Sequence, residues 1–493
     1  MKDDKGLAKR SFKAASWVLI AQFSTQFIQL LLGICMVRLL SPKDYGILGM
    51  LAIFWAVSNV FISGGFSLAL IQRKEITQTD LCSVFYYNML LSLLCCFIMI
   101  GASHWIAEFY NQPILEKTIK VTAWTLPISA LGSVQSILLS RDLKQGFITI
   151  SGLIAVIISG IAALILAWKG YGVWALVWRG FIASLCTTII VFSFSRWIPR
   201  LIFSITRLKE LFGFGSKLML SGLLNNIYNH INSVVIGKFY PVETLGYYER
   251  AHGYVCLWPM SIQSAISQVL FPAFSKIQDD KDRLKKAFKR SLAISIFVVV
   301  FPSFMLCVLC RPFIELILTA KWLPCIPYWW LLTCTICLWP IHVLNLEVLK
   351  SIGRSDIFFK LEILKKCLST VSLFILIFAG IFPMLIAGIF CSLISAYLNS
   401  FYVGKYLSYS LFQQFKDIGI YFILSMISCT ALWLVYHFTY PLNQWCGFIL
   451  AVITGLVCYL TLNRLLLTSA FTDLHNLIPK RFMLVRYLLF IRD

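Results

Sequence analysis

The stretch Leu40-Ser-Pro-Lys-Asp-Tyr-Gly46 lies between two long apolar segments, residues 15–37 and 46–70. Each flank has the length of about 20 residues or more that a helix needs to cross ~30 Å of hydrocarbon. Backbone groups in lipid must be bonded within their own segment, so flanks of this kind read as spanning helices. A β-barrel would show shorter, alternating stretches, and the sequence does not have that pattern. The stretch itself carries a Pro, then an acidic residue, then a Gly that opens the next helix. Tyr240-Pro-Val-Glu-Thr-Leu-Gly246 repeats that order.

Outward from these turns the whole chain has the same character. Of its 493 residues 59% are hydrophobic and 13% charged, with a mean hydropathy of +0.82. A soluble domain of this length needs far more polar surface. The apolar segments number about fourteen and predict an all-α membrane protein. A second echo links Ser140-Arg-Asp-Leu-Lys144 with Lys350-Ser-Ile-Gly-Arg354. The two echoes divide the chain into an N-lobe, residues 1–200, and a C-lobe, residues 201–405, of six helices each. Six is even, so the lobes run parallel, with a pseudo-two-fold along the membrane normal and the substrate path between the halves. Residues 406–493 add two further helices, read as peripheral to the transport core, and a basic tail.

A net charge of +22 in a soluble protein would suggest nucleic acid. Here about 32 Lys and Arg fall on one side of the predicted spans and about 8 on the other, which places both termini in the cytoplasm. The partners this implies are the anionic lipids of a bacterial inner membrane, at ~1 kcal/mol per basic residue near the surface, and not nucleic acid. Residues 14–37 are too long for a signal-peptide core and lack a cleavage site, so they read as a retained first span. Most of the sixteen Cys sit within spans as small apolar residues. Cys307–Cys310 and Cys334–Cys337 have CxxC spacing but no His or acidic neighbours, and no metal or cofactor is expected.

Polar residues inside the spans are the candidate site. Gln22, Thr25, Gln26 and Gln29 share one face of the first span. Lys217, Ser221, Asn225, Asn229 and Asn232 share one face of the seventh. Matching Pro42 with Pro241 lays Gln22 over Ser221 and Gln26 over Asn225, as expected of a shared hydrated cavity; interhelical hydrogen-bond glue is the other reading. A charge at mid-span costs at least ~2.5 kcal/mol, so it weighs more. Lys217 lies about 12 Å past Lys209 at 1.5 Å per residue. Arg250 opens a polar stripe with Tyr254, Ser261 and Gln268, and Arg179 either faces the cavity or snorkels to the surface. Glu347 is a candidate for ion coupling or for pairing with Lys350 and Arg354. A cavity with cations and amides but few acids suits an anionic, hydroxyl-rich cargo.

Taken in order and spacing, several segments are familiar. They are Leu40-Ser-Pro-Lys-Asp-Tyr-Gly-Ile-Leu-Gly49, Leu70-Ile-Gln-Arg-Lys74, Ser140-Arg-Asp-Leu-Lys144 and Gly170-Tyr-Gly-Val-Trp-Ala-Leu-Val177 in the first half. In the second half they are Phe212-Gly-Phe-Gly215, Gly246-Tyr-Tyr-Glu-Arg-Ala251, Leu270-Phe-Pro-Ala-Phe-Ser275 and Lys321-Trp-Leu-Pro324. The chain resembles bacterial polysaccharide flippases of the Wzx type, in the branch of colanic-acid and teichuronic-acid exporters. That branch shares a superfamily with multidrug extruders and lipid II flippases. The resemblance implies alternating-access transfer of a polyprenyl-diphosphate-linked oligosaccharide to the outer leaflet. It further implies an H+ or Na+ gradient as a candidate drive and a polysaccharide polymerase as a candidate partner. Lipid II flippases carry charge in their first span where this chain has Gln and Thr, so the resemblance leaves Arg250 as the substitute for their diphosphate-binding charges.

Two alternatives are set aside on chemistry. A multidrug or organic-cation extruder would want intramembrane acids, which are scarce here. A membrane polymerase or glycosyltransferase would need a sizeable domain outside the bilayer to hold catalytic groups, and the predicted loops are too short. The chain reads as a transporter, not an enzyme.

Overall fold

A computed structural model describes residues 24–63, 65–73, 75–142 and 144–477. Described residues are helical throughout, with no strand among them. They separate into two compact units, Met1–Gly246 and Tyr247–Asp493.

The first unit begins with α1 (Ser24–Leu39) and α2 (Pro42–Ser63), joined by the quoted turn. Pro42 sits in the first turn of α2, where its missing N–H costs nothing. The Ser41 hydroxyl donates to Asp44 Oδ2 at 2.6 Å, and the Ser41 N–H reaches the same oxygen at 2.9 Å. This reciprocal cap fixes where the helix starts. Next come α3 (Phe66–Gln72) and α4 (Gln78–Phe109), the latter opened by a Thr77–Asp80 capping box. Three short helices, α5 (Ile114–Thr122), α6 (Thr125–Leu131) and α7 (Ser133–Arg141), then make one interrupted crossing. The hairpin of α8 (Gln145–Trp168) and α9 (Val173–Ser195) is followed by α10 (Ile205–Phe239), which packs along α2.

α11 (Val242–Ser275) starts in the first unit and continues into the second. Its opening turn crosses that of α2 at two glycines. A Cβ on Gly46 would overlap the Val242 carbonyl, and a Cβ on Gly246 would overlap the Pro42 carbonyl. The contact is reciprocal: each glycine meets the carbonyl four residues before its counterpart. These helix starts stand 200 residues apart, one more than a Pro42–Pro241 match gives, because Pro241 precedes its helix while Pro42 lies inside. On α10 the Asn226 Nδ2 donates to the Gly222 carbonyl at 2.9 Å.

The second unit is built around α12 (Lys281–Val308). A short α13 (Cys310–Phe313), a π-turn and a 3-10 turn lead to α14 (Ile326–Ile336) and α15 (Trp339–Ser351), again one interrupted crossing. α16 (Ser355–Leu376), α17 (Ile381–Leu407), α18 (Leu411–Thr439), α19 (Gln444–Leu465) and α20 (Ser469–Leu477) complete it. The last helices are not loosely attached. Tyr459 stacks on Phe301 with centroids 4.3 Å apart and donates to the Phe297 carbonyl at 3.0 Å. Buried Asn345 and Gln414 exchange amide hydrogen bonds of 3.0 and 3.2 Å, tying α15 to α18. These few polar ties lie in otherwise plain apolar segments, which is why composition alone makes α18 and α19 look peripheral.

Ten of the described helical segments are long and apolar enough to cross a membrane, which makes the chain a multi-pass membrane protein. α10, α11 and α16 have the length but carry too many polar and charged residues to qualify by composition. The glycine crossing gives the sharpest stability test. Gly46→Ala and Gly246→Ala are each expected to lower the melting temperature of the purified protein, since overpacking costs roughly 1–3 kcal/mol or more. Gly101→Ala, with open space around it, is expected to melt as the parent does.

Candidate functional site

The first unit holds a cavity whose shape follows from a broken helix. Around Pro127 the crossing formed by α5, α6 and α7 is interrupted: the Ala123 carbonyl, which the missing Pro127 N–H would have met, takes the Leu126 N–H at 3.1 Å, and other carbonyls beside the breaks are open to a side-chain donor. Side-chain hydroxyls take them up. Thr125 Oγ1 donates to the Thr122 carbonyl at 2.7 Å, and Thr188 Oγ1 on α9 donates to the Ile128 carbonyl at 2.9 Å. Ser184 on α9 reaches both the Thr125 carbonyl at 3.3 Å and the Ser129 hydroxyl at 2.8 Å. These bonds hold α6 against α9 but leave the space between them open.

That space forms two chambers of about 380 and 290 Å³ that share Ser129 and Ser184. The larger lies between α2, α5, α6 and α9. One wall is apolar, from Leu48, Leu51 and Ala52, and ends at Trp55, whose Nε1 donates to Thr125 Oγ1 at 2.9 Å. The opposite wall carries Thr122, Thr125, Ser129 and Ser184. The smaller chamber continues past Ser133, Ser136, Thr187 and Thr188 to Val191. The described lining of both is uncharged.

The residues singled out in the sequence are distributed over both units. Gln22 lies outside the described residues. Gln26 on α1 is half-buried, and Asn225 and Asn229 on α10 are exposed. Lys217 is on α10, but its side chain is not among those described. Arg179 on α9 is half-buried and next to Gly180, which lines the larger chamber. Arg250 belongs to the second unit and is half-buried, with its Nε enclosed. Four residues on, Tyr254 stacks on Trp329 with centroids 5.7 Å apart, and Arg250 lies within electrostatic reach of Cys325, four residues before Trp329. Two rungs of α11 thus face two rungs at the start of α14. Glu347 is buried and ion-paired to Lys350 at 3.2 Å.

Residue-by-residue reading of charge missed the chamber walls. Their signal was nevertheless present, as hydroxyls at 118, 122, 125, 129, 133, 136 and 140 in steps of three or four. On α16, Lys365, 12% exposed, is ion-paired with Glu362 inside the second unit.

These features define an all-helical, multi-pass membrane protein with an uncharged, hydroxyl-walled cavity in its first unit. The family model described as polysaccharide biosynthesis protein matches residues 35–327, and the chain belongs to that family. It is 25% identical over 366 residues to the lipopolysaccharide biosynthesis protein WzxC of Escherichia coli (strain K12), covering 73% of each chain. It is 23% identical over 374 residues to the teichuronic acid biosynthesis protein TuaB of Bacillus subtilis (strain 168), covering 72% of this chain and 74% of TuaB. Among solved structures, the lipid II flippase MurJ in an inward closed conformation aligns with a TM-score of 0.73 at 16% identity, covering 91% of this chain and 99% of MurJ. An inward-facing multidrug resistance MATE family transporter aligns with a TM-score of 0.59 at 14% identity, over 79% of this chain and 99% of that one. At these identities the likeness is one of fold.

The Glu347–Lys350 pair can be tested directly. Glu347→Ala removes the carboxylate partner of a partly buried lysine and is expected to lower the melting temperature. The double variant Glu347→Gln/Lys350→Gln is expected to recover most of that loss. Equal melting of the single and double variants would show the pair to be without structural weight.

Proposed function

We propose that this chain is a flippase that carries a polyprenyl-diphosphate-linked oligosaccharide from the cytoplasmic to the outer leaflet of a bacterial inner membrane. The observation that carries this reading is membership of a polysaccharide biosynthesis family by a chain whose described residues are membrane helices joined by short connections. With no folded domain outside those helices among the described residues, its contribution to polysaccharide assembly is to move an intermediate across the bilayer. The names of WzxC and TuaB, which place them in lipopolysaccharide and teichuronic acid biosynthesis, support a surface polysaccharide as the end product. The lipid II flippase fold supports a lipid-linked cargo moved by alternating access.

On this reading α1, α10, α11 and α16 add to the ten apolar crossings to make fourteen, with both termini cytoplasmic by the distribution of basic residues. The division into residues 1–200, 201–405 and 406–493 follows the sequence repeat. Lys217 and Arg250 bind the diphosphate, because phosphate oxygens draw charge-assisted hydrogen bonds from ammonium and guanidinium groups. Arg179 adds a third cation. The amides of Gln22, Gln26, Asn225 and Asn229 contact the sugars nearest the diphosphate. Exposure of Asn225 and Asn229 in the middle of a long helix supports a hydrated surface there, since amides are poorly matched to lipid. Glu347 serves as partner to Lys350, so coupling to an H+ or Na+ gradient rests on other groups. A polysaccharide polymerase receives the delivered unit.

The test is surface glycan in cells that make it. Deleting the chain is expected to abolish surface display, and Arg250→Ala and Lys217→Ala are each expected to reduce it severely at unchanged protein level. Normal display in both variants would remove these residues from the site. A deletion that alters drug sensitivity and leaves glycan intact would replace the reading by drug extrusion.

A further inference from the structure

We infer that the two connected chambers of the first unit receive the neutral sugars of the cargo, a role that rests on the flippase reading above. The larger chamber, about 380 Å³, lies within the ~300–1,000 Å³ range of small-molecule sites. Its walls have two different chemistries. Leu48, Leu51 and the Trp55 ring form one side, and the hydroxyls of Thr125, Ser129 and Ser184 form the other. A pyranose has the same division, with an apolar C–H face and a rim of hydroxyls. Its face suits the indole, an amphipathic surface held in place by its bond to Thr125. Its rim of O–H donors suits wall hydroxyls whose own protons are committed to carbonyls and whose lone pairs can accept.

The lining also argues against other occupants. A diphosphate would enter without a cation to meet it, and an organic cation without an anion, each a costly burial. Length fits an oligosaccharide as well. From Leu176 to Val191 the chambers follow α9 for about 22 Å at 1.5 Å per residue, longer than a single sugar needs. The diphosphate is left to the cations, and the sugars extend along this uncharged track.

Gly180 provides the test, because it lines the larger chamber and a Cβ there meets nothing within 4 Å. Gly180→Leu is expected to fill the chamber without disturbing the fold. It should cut surface glycan roughly tenfold, the effect of a ~1.4 kcal/mol handicap in binding. Gly152→Leu on α8, also in open space but away from the lining, is expected to leave export unchanged. In parallel, p-benzoylphenylalanine placed at position 180 is photo-cross-linked in membranes of cells making the glycan, and the adduct is weighed by mass spectrometry. An adduct carrying sugar mass increments supports the assignment. Normal export by Gly180→Leu, or an adduct carrying hydrocarbon alone, overturns it while leaving the flippase reading intact. Normal glycan in the deletion strain overturns the flippase reading instead.

Discussion

The start of α2 and the start of α11 touch backbone to backbone, and this approach is available only because Gly46 and Gly246 have no Cβ. Much of the first unit is organised around it. α2 lines the larger chamber with Leu48, Leu51 and Trp55, all within nine residues of Gly46, so the crossing sets where that wall stands. α10 packs along α2 and ends one short turn before α11 begins. The reciprocity of the contact, each glycine on the carbonyl four residues before the other, is what an internal repeat gives when its two copies meet at equivalent positions.

A second constraint is the rule that backbone polar groups in lipid need partners. In the first unit the crossing formed by α5, α6 and α7 is interrupted, and carbonyls beside the breaks are met by hydroxyls from α6 and α9. The repair is structural, yet it also furnishes the chamber with hydroxyls that carry no charge. In the second unit the fourth crossing is likewise interrupted, by the turns that precede α14 and by the break between α14 and α15. There the buried amide of Asn345 is satisfied by Gln414 from α18, with Ser400 donating to the same Gln414 oxygen. The pair thus ties α15 to α18 within the second unit. The added pair α18 and α19 therefore stabilises this unit from within.

Charge is used sparingly inside the protein. The described chamber lining has none, Glu347 is matched by Lys350, and Glu362 by Lys365. Arg250 stands one helical turn before Tyr254, which stacks on Trp329, and its Nε is enclosed. A cargo with a compact anionic head and a long neutral glycan would meet cations at few places and hydroxyls at many.

The membrane class, the helical character and the turn at Pro42 were all legible in the sequence. Apolar length, capping residues and punctuating Pro and Gly act locally, and local physics is written in order along the chain. The hydroxyl stripe at residues 118–140 was equally visible, but a stripe of Ser and Thr has the same appearance whether it glues helices or lines a cavity. Only tertiary structure decided that, by placing α9 and Trp55 across from it with open space between. It also decided that the helix starts at Gly46 and Gly246 meet each other and that Glu347 belongs to Lys350. Each of these depends on which distant segment comes to lie alongside, and packing between helices fixes that partner where no single segment can.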